Sequence, residues 1–296
     1  MANKFSLMLI HLQAIKKQVA LMVFALSITI SLPSKTLAQE TLMQEKACKA
    51  KTVKKGSMYL YWGWNRSWYA KSNLHFKGNE YDFNLKSVKA KDRQSPFSTK
   101  IYLNPSYVTI PQYNFRTGYF LNDKYNISFG VDHMKYVVIQ DQIVNIDGNI
   151  NVSDSAYNGQ YTGQNITLKE DFLKFEHTDG LNFINVDLRR FHELWATEKV
   201  SLNVIGGIGV GVMVPRTNTT LLGKPRHDEF HLSGYGFSGV AGMNMSFWKY
   251  FFIQSEFKLG YISMPDILTT YERSDKADQK ILFSQFNVVF GGNIYF

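Results

Sequence analysis

Residues 279–296 read QKILFSQFNVVFGGNIYF, and the fold turns on how this stretch is read. Phe286, Val288, Phe290, Ile294 and Phe296 share one parity, with Gly292 between them. Gln285, Asn287, Gly291, Asn293 and Tyr295 share the other, joined by Val289. Successive side chains of a strand point to opposite faces. The stretch is therefore a strand with one apolar face and one face of amides and glycine.

The same alternation recurs upstream. In 250–265, Phe251, Ile253, Phe257, Leu259 and Tyr261 alternate with Phe252, Gln254, Glu256, Lys258 and Gly260. In 183–194, Ile184, Val186 and Leu188 oppose Asn185, Asp187 and Arg189. Comparable strands are read at 57–68, 108–121, 125–140, 200–214 and 230–247, which gives eight. The intervals between them are 69–107, 122–124, 141–182, 195–199, 215–229, 248–249 and 266–278, alternately long and short. Tight turns on one side and long loops on the other, with an apolar face to lipid and a polar face to the lumen, are the pattern of an outer-membrane barrel. A soluble sandwich or lipocalin-like barrel has the same period with its apolar face inside. The inward set here is rich in glycine and amides, unlike a soluble core. Trp62, Trp64, Tyr119, Tyr125, Trp195, Trp248, Tyr250 and Tyr261 stand near strand ends, where membrane barrels carry aromatic girdles. The expected fold is all-β: an eight-stranded antiparallel transmembrane β-barrel over 57–296 with long extracellular β-rich loops.

The N-terminus agrees. Lys4, Lys16 and Lys17 precede an apolar run from Val19 to Leu32, and Thr36-Leu37-Ala38 offers a small-residue cleavage site. These features predict a signal peptide over 1–38, since the run is short for a spanning helix, which takes about 20 apolar residues. Residues 39–56 read as a polar periplasmic tail. Cleavage removes four lysines and no acid, so the formal charge falls by four from +9. This weakens any case for nucleic acid, and a moderate positive charge suits an anionic lipopolysaccharide surface. Cys48 is the only cysteine, which excludes an intrachain disulfide. It also lies too far beyond the apolar run for a lipoprotein site.

An eight-stranded barrel has an interior that side chains can fill. The inward charges are Arg116, Arg189 and Lys258 against Asp132, Asp187 and Glu256. Buried charges are tolerated when paired, so these six are expected to form a network that closes the lumen. The rims are the alternative place for any one of them.

At this point the chain resembles the small outer-membrane β-barrel superfamily, the OmpA-transmembrane-domain and OmpX-like proteins. The resemblance rests on the eight alternating strands, the loop alternation and the terminal Phe296, and covers about 57–296. It implies fold, an outer-membrane location and lipid and lipopolysaccharide as neighbours. An aromatic residue ending an alternating last strand also resembles the signal read by the barrel-assembly machinery. The superfamily includes adhesins, envelope anchors, small channels and a few lipid-modifying enzymes. Two oversized loops set this chain apart, and the absence of a following peptidoglycan-binding domain argues against an anchor.

The long loops carry strand-like runs. Leu74–Phe76 and Tyr81–Leu85 flank 77–80 as a hairpin, and Val144–Ile146 and Ile150–Val152 flank Asp147-Gly148-Asn149 as a second hairpin signal. Between Ser87 and Lys100, Lys89, Lys91, Arg93 and Lys100 form a basic stretch, read as a solvated face or a site for lipid phosphates or sugars. Asp147, Asn149 and Asn151 are spaced like the start of a calcium loop, but the remaining ligands of that pattern are missing. Asp132-His133 and Glu176-His177 with Asp179 are acid–histidine clusters without a diagnostic metal spacing. No metal or cofactor is expected.

His231 and Ser233 stand two apart on one face, read as the outward one, and look like the His-x-Ser pair of outer-membrane lipid A deacylases. A serine nucleophile needs a base and an orienting third group. Glu256 has the wrong parity and Glu229 lies on the same strand, so the third member is unassigned. The expected function is a non-enzymatic, monomeric outer-membrane barrel whose extracellular crown binds a partner or shields the surface. A narrow small-solute channel and a deacylase-like enzyme are the alternatives.

Overall fold

The computed structural model describes residues 55–102, 104, 107 and 110–296. The predicted signal peptide, and the predicted tail up to residue 54, lie outside the described residues. The elements are β1 (Met58–Tyr69), β2 (Ser72–Lys77), β3 (Tyr81–Val88), β4 (Ala90–Lys91), α1 (Thr99–Tyr102), β5 (Tyr113–Phe120), β6 (Tyr125–Val138), β7 (Ile143–Ile150), β8 (Gly159–Thr167), β9 (Leu173–Ala196), β10 (Val200–Met213), β11 (Arg216–Leu221), β12 (His227–Phe230), β13 (Gly234–Phe247), β14 (Phe251–Leu268) and β15 (Lys276–Ile294).

Antiparallel pairing runs β1–β5–β6–β9–β10–β13–β14–β15, and β15 then pairs with β1 from Met58↔Ile294 to Tyr69↔Phe283, so the sheet closes on itself. Closure leaves no unpaired edge in this part of the molecule, which is what lipid demands of a spanning sheet. Around the outside, Ile127, Phe129, Val186, Leu188, Ile208, Val210, Phe237, Leu259 and Phe286 are exposed; Ile208 is 69% exposed. Inside, Asn114, Asn126, Asn185, Asn244, Gln285 and Asn287 are buried. The polarity is that of a membrane barrel, with grease outside and amides within.

Beyond the barrel the polarity inverts on the same strands. The odd residues of β9 face inward: Asn185, Asp187 and Arg189 in the lower half, Leu173, Phe175 and His177 in the upper half. Likewise β15 turns Gln285 and Asn287 inward low down and Ala277, Ile281 and Phe283 inward higher up. The upper part is a crown of two faces. On one, β15 pairs with β2, β2 with β3, β3 with β7 and β7 with β8. On the other, β4 pairs with β6, β6 with β9, β9 with β11 and β11 with β12. Phe76 meets Phe175 edge-on at 5.9 Å and Phe83 meets Phe172 at 5.8 Å, joining the two faces through one apolar core. A loop in water must bury its own apolar residues, and this one does so as a sandwich.

Several expected boundaries change. The strand read at 183–194 extends to Leu173 and Ala196, and that read at 108–121 spans only Tyr113–Phe120. The interval 215–229 is the hairpin β11–β12, and β13 begins at Gly234. Asp147-Gly148-Asn149 does not turn the chain. It lies inside β7, where the β7–β8 register shifts between Ile146 and Asp147, and the hairpin reverses between Ile150 and Gly159. Gly148 has φ 126°, and a Cβ there would come within 2.2 Å of the Asp82 carbonyl, so this glycine serves a bulge and a close strand approach.

Candidate functional site in the barrel interior

The interior is layered. At the short-turn end, Tyr59, Tyr61, Phe120, Phe191, Ile205, Phe252 and Val289 form a buried apolar cluster. The rings interlock, with Phe120 5.3 Å from Phe191 and 5.7 Å from Tyr59, and Tyr59 6.3 Å from Phe252. At the other end lies the crown core. Between the two sits the charge layer.

All six sequence-derived charges meet there. Arg116, Arg189 and Lys258 are each 0% exposed. Asp187 Oδ2 receives Arg116 at 3.1 Å and Arg189 at 2.8 Å. Arg189 also pairs with Glu256, and Lys258 with Asp132. Amides and hydroxyls complete the set: Arg116 Nε donates to the Tyr61 hydroxyl at 3.1 Å, its NH1 donates to Ser128 Oγ at 3.1 Å, and Asn185 Nδ2 donates to Asp132 Oδ2 at 3.1 Å. Gln254 Nε2 donates to Glu256 Oε1 at 2.6 Å. Glycine makes the room. A Cβ at Gly130 would lie 2.6 Å from the Arg116 guanidinium carbon, and one at Gly209 would lie 2.0 Å from Asp187 Oδ1. Three cations against three anions leave the layer formally neutral, which limits the cost of burying it.

His231 and Ser233 do not share an exposed face. Both lie between β12 and β13, and Ser233 is 1% exposed. Its Oγ donates to the His231 carbonyl at 3.4 Å rather than to the ring. The ring faces Asp266, with Nε2 2.9 Å from Oδ2, and Lys276 Nζ lies 2.7 Å from the other carboxylate oxygen. Lys276 first, and His231 with it, hold the Asp266 carboxyl below the ordinary range. Asp266 is thus the acid that the sequence left unassigned, but the serine is turned away from the pair. No spacing rule could have found it, since it lies in what the sequence reads as a loop.

The acid–histidine pairs separate. Asp132 points into the lumen, whereas His133 stacks on Tyr113 at 4.9 Å and its Nδ1 lies 2.8 Å from Asn182 Oδ1. Glu176 pairs with Arg93 at 3.3 Å, and Asp179 with Arg216 at 3.0 Å. Among the described residues no three His, Cys, Asp or Glu side chains gather as a metal set.

His177 is fully buried in the crown against Phe175 and Tyr136. Burial pushes its pKa down to about 3. The unfolded ring takes up a proton near pH 6.5, whereas the folded ring resists until about pH 3. Folding therefore loses stability as pH falls through that window, by about 1.4 kcal/mol per unit at most. The crown of the wild type is expected to loosen by about 3 kcal/mol between pH 6.5 and pH 4 through this residue alone. Hydrogen exchange of crown amides checks it: His177→Phe flattens the acid dependence, and an unchanged slope contradicts the assignment.

A closed antiparallel barrel with grease outside and a polar, packed interior defines an outer-membrane β-barrel, and the cell outer membrane is its place. No protein-family model matches the chain, and no curated protein matches it in sequence. Among solved structures it is similar to the outer membrane protein OprG from Pseudomonas aeruginosa, at 10% identity over 83% of this chain and 99% of that one, TM-score 0.37. It is also similar to Ail, the attachment invasion locus protein of Yersinia pestis, in complex with the heparin analogue sucrose octasulfate, at 9% identity over 81% and 99%, TM-score 0.30. The outer membrane protein AlkL in DMPC lipid bilayers matches at 10% identity over 90% and 95%, TM-score 0.33. Likeness at this distance decides nothing by itself; the chain's own girdle and lumen do.

Proposed function

We propose that this chain is an eight-stranded, monomeric, non-conducting outer-membrane barrel that holds a folded crown outside the cell, where the crown binds a partner or shields the surface. Residues 1–38 direct export and 39–56 form a periplasmic tail. Lipid and lipopolysaccharide surround the girdle, and the last strand is what the barrel-assembly machinery reads. One observation carries the reading: the paired charge layer is capped below by the aromatic cluster and above by the crown core. An ion entering from either side meets packed hydrocarbon before it meets a charge, and moving it through would cost several kcal/mol at least. The closed pairing order β1 to β15 supports the strand count.

Single-channel recording tests the reading. The wild-type protein in a planar bilayer is expected to give no steady conductance, and a large stable current contradicts it and favours the narrow channel. The non-enzymatic part is supported by Ser233, whose hydroxyl is directed at a backbone carbonyl instead of a base. Lipid A from cells with and without the protein is expected to have the same acylation by mass spectrometry.

A further inference from the structure

We infer that the segment Ser95–Tyr102 is a membrane-seated foot that lies on the lipid-facing wall beside β1 and places Phe97 in the acyl chains of the outer leaflet; this rests on the barrel reading above. The segment is built as a unit. Tyr102 OH donates to the Ser95 carbonyl at 2.8 Å, and the amides of Ile101 and Tyr102 both donate to the Ser98 carbonyl, at 3.0 and 2.8 Å. Gln94 Nε2 donates to the Asn65 carbonyl of β1 at 3.2 Å, which pins the start of the segment to the barrel wall.

Its aromatic side chains continue the girdle. Phe290 lies 5.8 Å from Trp64, Trp64 lies 4.8 Å from Trp62 and 5.6 Å from Tyr102, and Tyr102 lies 5.4 Å from Phe97. Phe290 and Trp64 belong to the outward face of the barrel, so the run starts in the lipid band and ends at Phe97, which is 82% exposed. A phenylalanine held open to water by an ordered turn is unfavourable, and the same ring in hydrocarbon is favourable. Arg66 stands two residues from Trp64 on the same outward face, and Lys100 sits in α1. Both side chains are exposed. Long cationic side chains flanking aromatic rings at a membrane boundary keep their stems in hydrocarbon and their charges at lipid phosphates. The partner that fits is a phosphate-bearing lipid surface, and part of the basic stretch seen in the sequence has this use.

The test uses full-length mature protein carrying Cys48→Ser, reconstituted in phosphatidylcholine–phosphatidylglycerol vesicles, with one nitroxide label at a time. Labels at Phe286→Cys, on the girdle, and Lys169→Cys, on the crown, set the lipid and water limits. A label at Phe97→Cys is expected to collide with oxygen more than with an aqueous nickel chelate, as at position 286. A label at Ser98→Cys, which leaves Phe97 in place, is expected to lose oxygen exposure when Phe97→Ser is added. If position 97 behaves like position 169 while position 286 reads as lipid, the foot is refuted and the barrel stands. If position 286 also reads as water, the barrel reading falls and takes the foot with it.

Discussion

Arg189→Met is expected to destabilise the folded protein by about 3–5 kcal/mol, the usual cost of leaving a buried charge without its partner. Arg189 joins Asp187 at 2.8 Å and Glu256, all of them out of contact with solvent. Methionine replaces the stem but not the guanidinium. Asp187 keeps Arg116 at 3.1 Å, so the stranded anion is Glu256. Adding Glu256→Gln to Arg189→Met should therefore recover a large part of the loss, because it removes that charge while keeping its shape. A urea titration of vesicle-inserted protein, followed by the gel-mobility difference between folded and unfolded barrels, measures both variants. A loss below about 1 kcal/mol in the single variant would place these groups in water, since exposed pairs are worth no more than that.

Phe83→Ala should cost as much, about 3–5 kcal/mol, but somewhere else. Phe83 is fully buried and lies 5.3 Å from Phe76, 5.8 Å from Tyr81 and 5.8 Å from Phe172. None of these belongs to the charge layer or the aromatic cluster below it. The cavity opens the crown, while the barrel keeps its closed ladder and its lipid. Limited proteolysis between 141 and 182 should accelerate strongly, and the gel shift of the folded barrel should persist. Loss of both together would mean that crown and barrel unfold as one unit, contrary to the separation of their interiors.

The barrel was legible because one rule governs each strand within the membrane. Ile184, Val186 and Leu188 face lipid and Asn185, Asp187 and Arg189 face in, and period-two reading recovers this without any knowledge of partners. The rule fails at the crown. Phe175 lies on the same face as Asp187, so the apolar side chains change sides within one strand. A reader seeking one constant outward face stops at 183. The aromatic cluster escapes the period-two rule for a similar reason: Phe252 and Val289 stand on the polar parity, and only their convergence with Tyr59 and Phe191 makes them a cap. Asp147-Gly148-Asn149 carries turn chemistry, but the same glycine freedom also serves a bulge. The meeting of His231 with Asp266 joins residues far apart in sequence, which only the folded register brings together.

The inversion of the apolar face along β9 is most directly tested by magnetisation transfer from deuterium-edited lipid acyl chains to protein methyl groups. Val186, Leu188, Ile208 and Val210 should receive it strongly, and Leu74, Ile146, Leu173 and Ile262 should receive none. Transfer to the second group, or its absence from the first, would contradict a lipid-facing barrel carrying a water-facing crown.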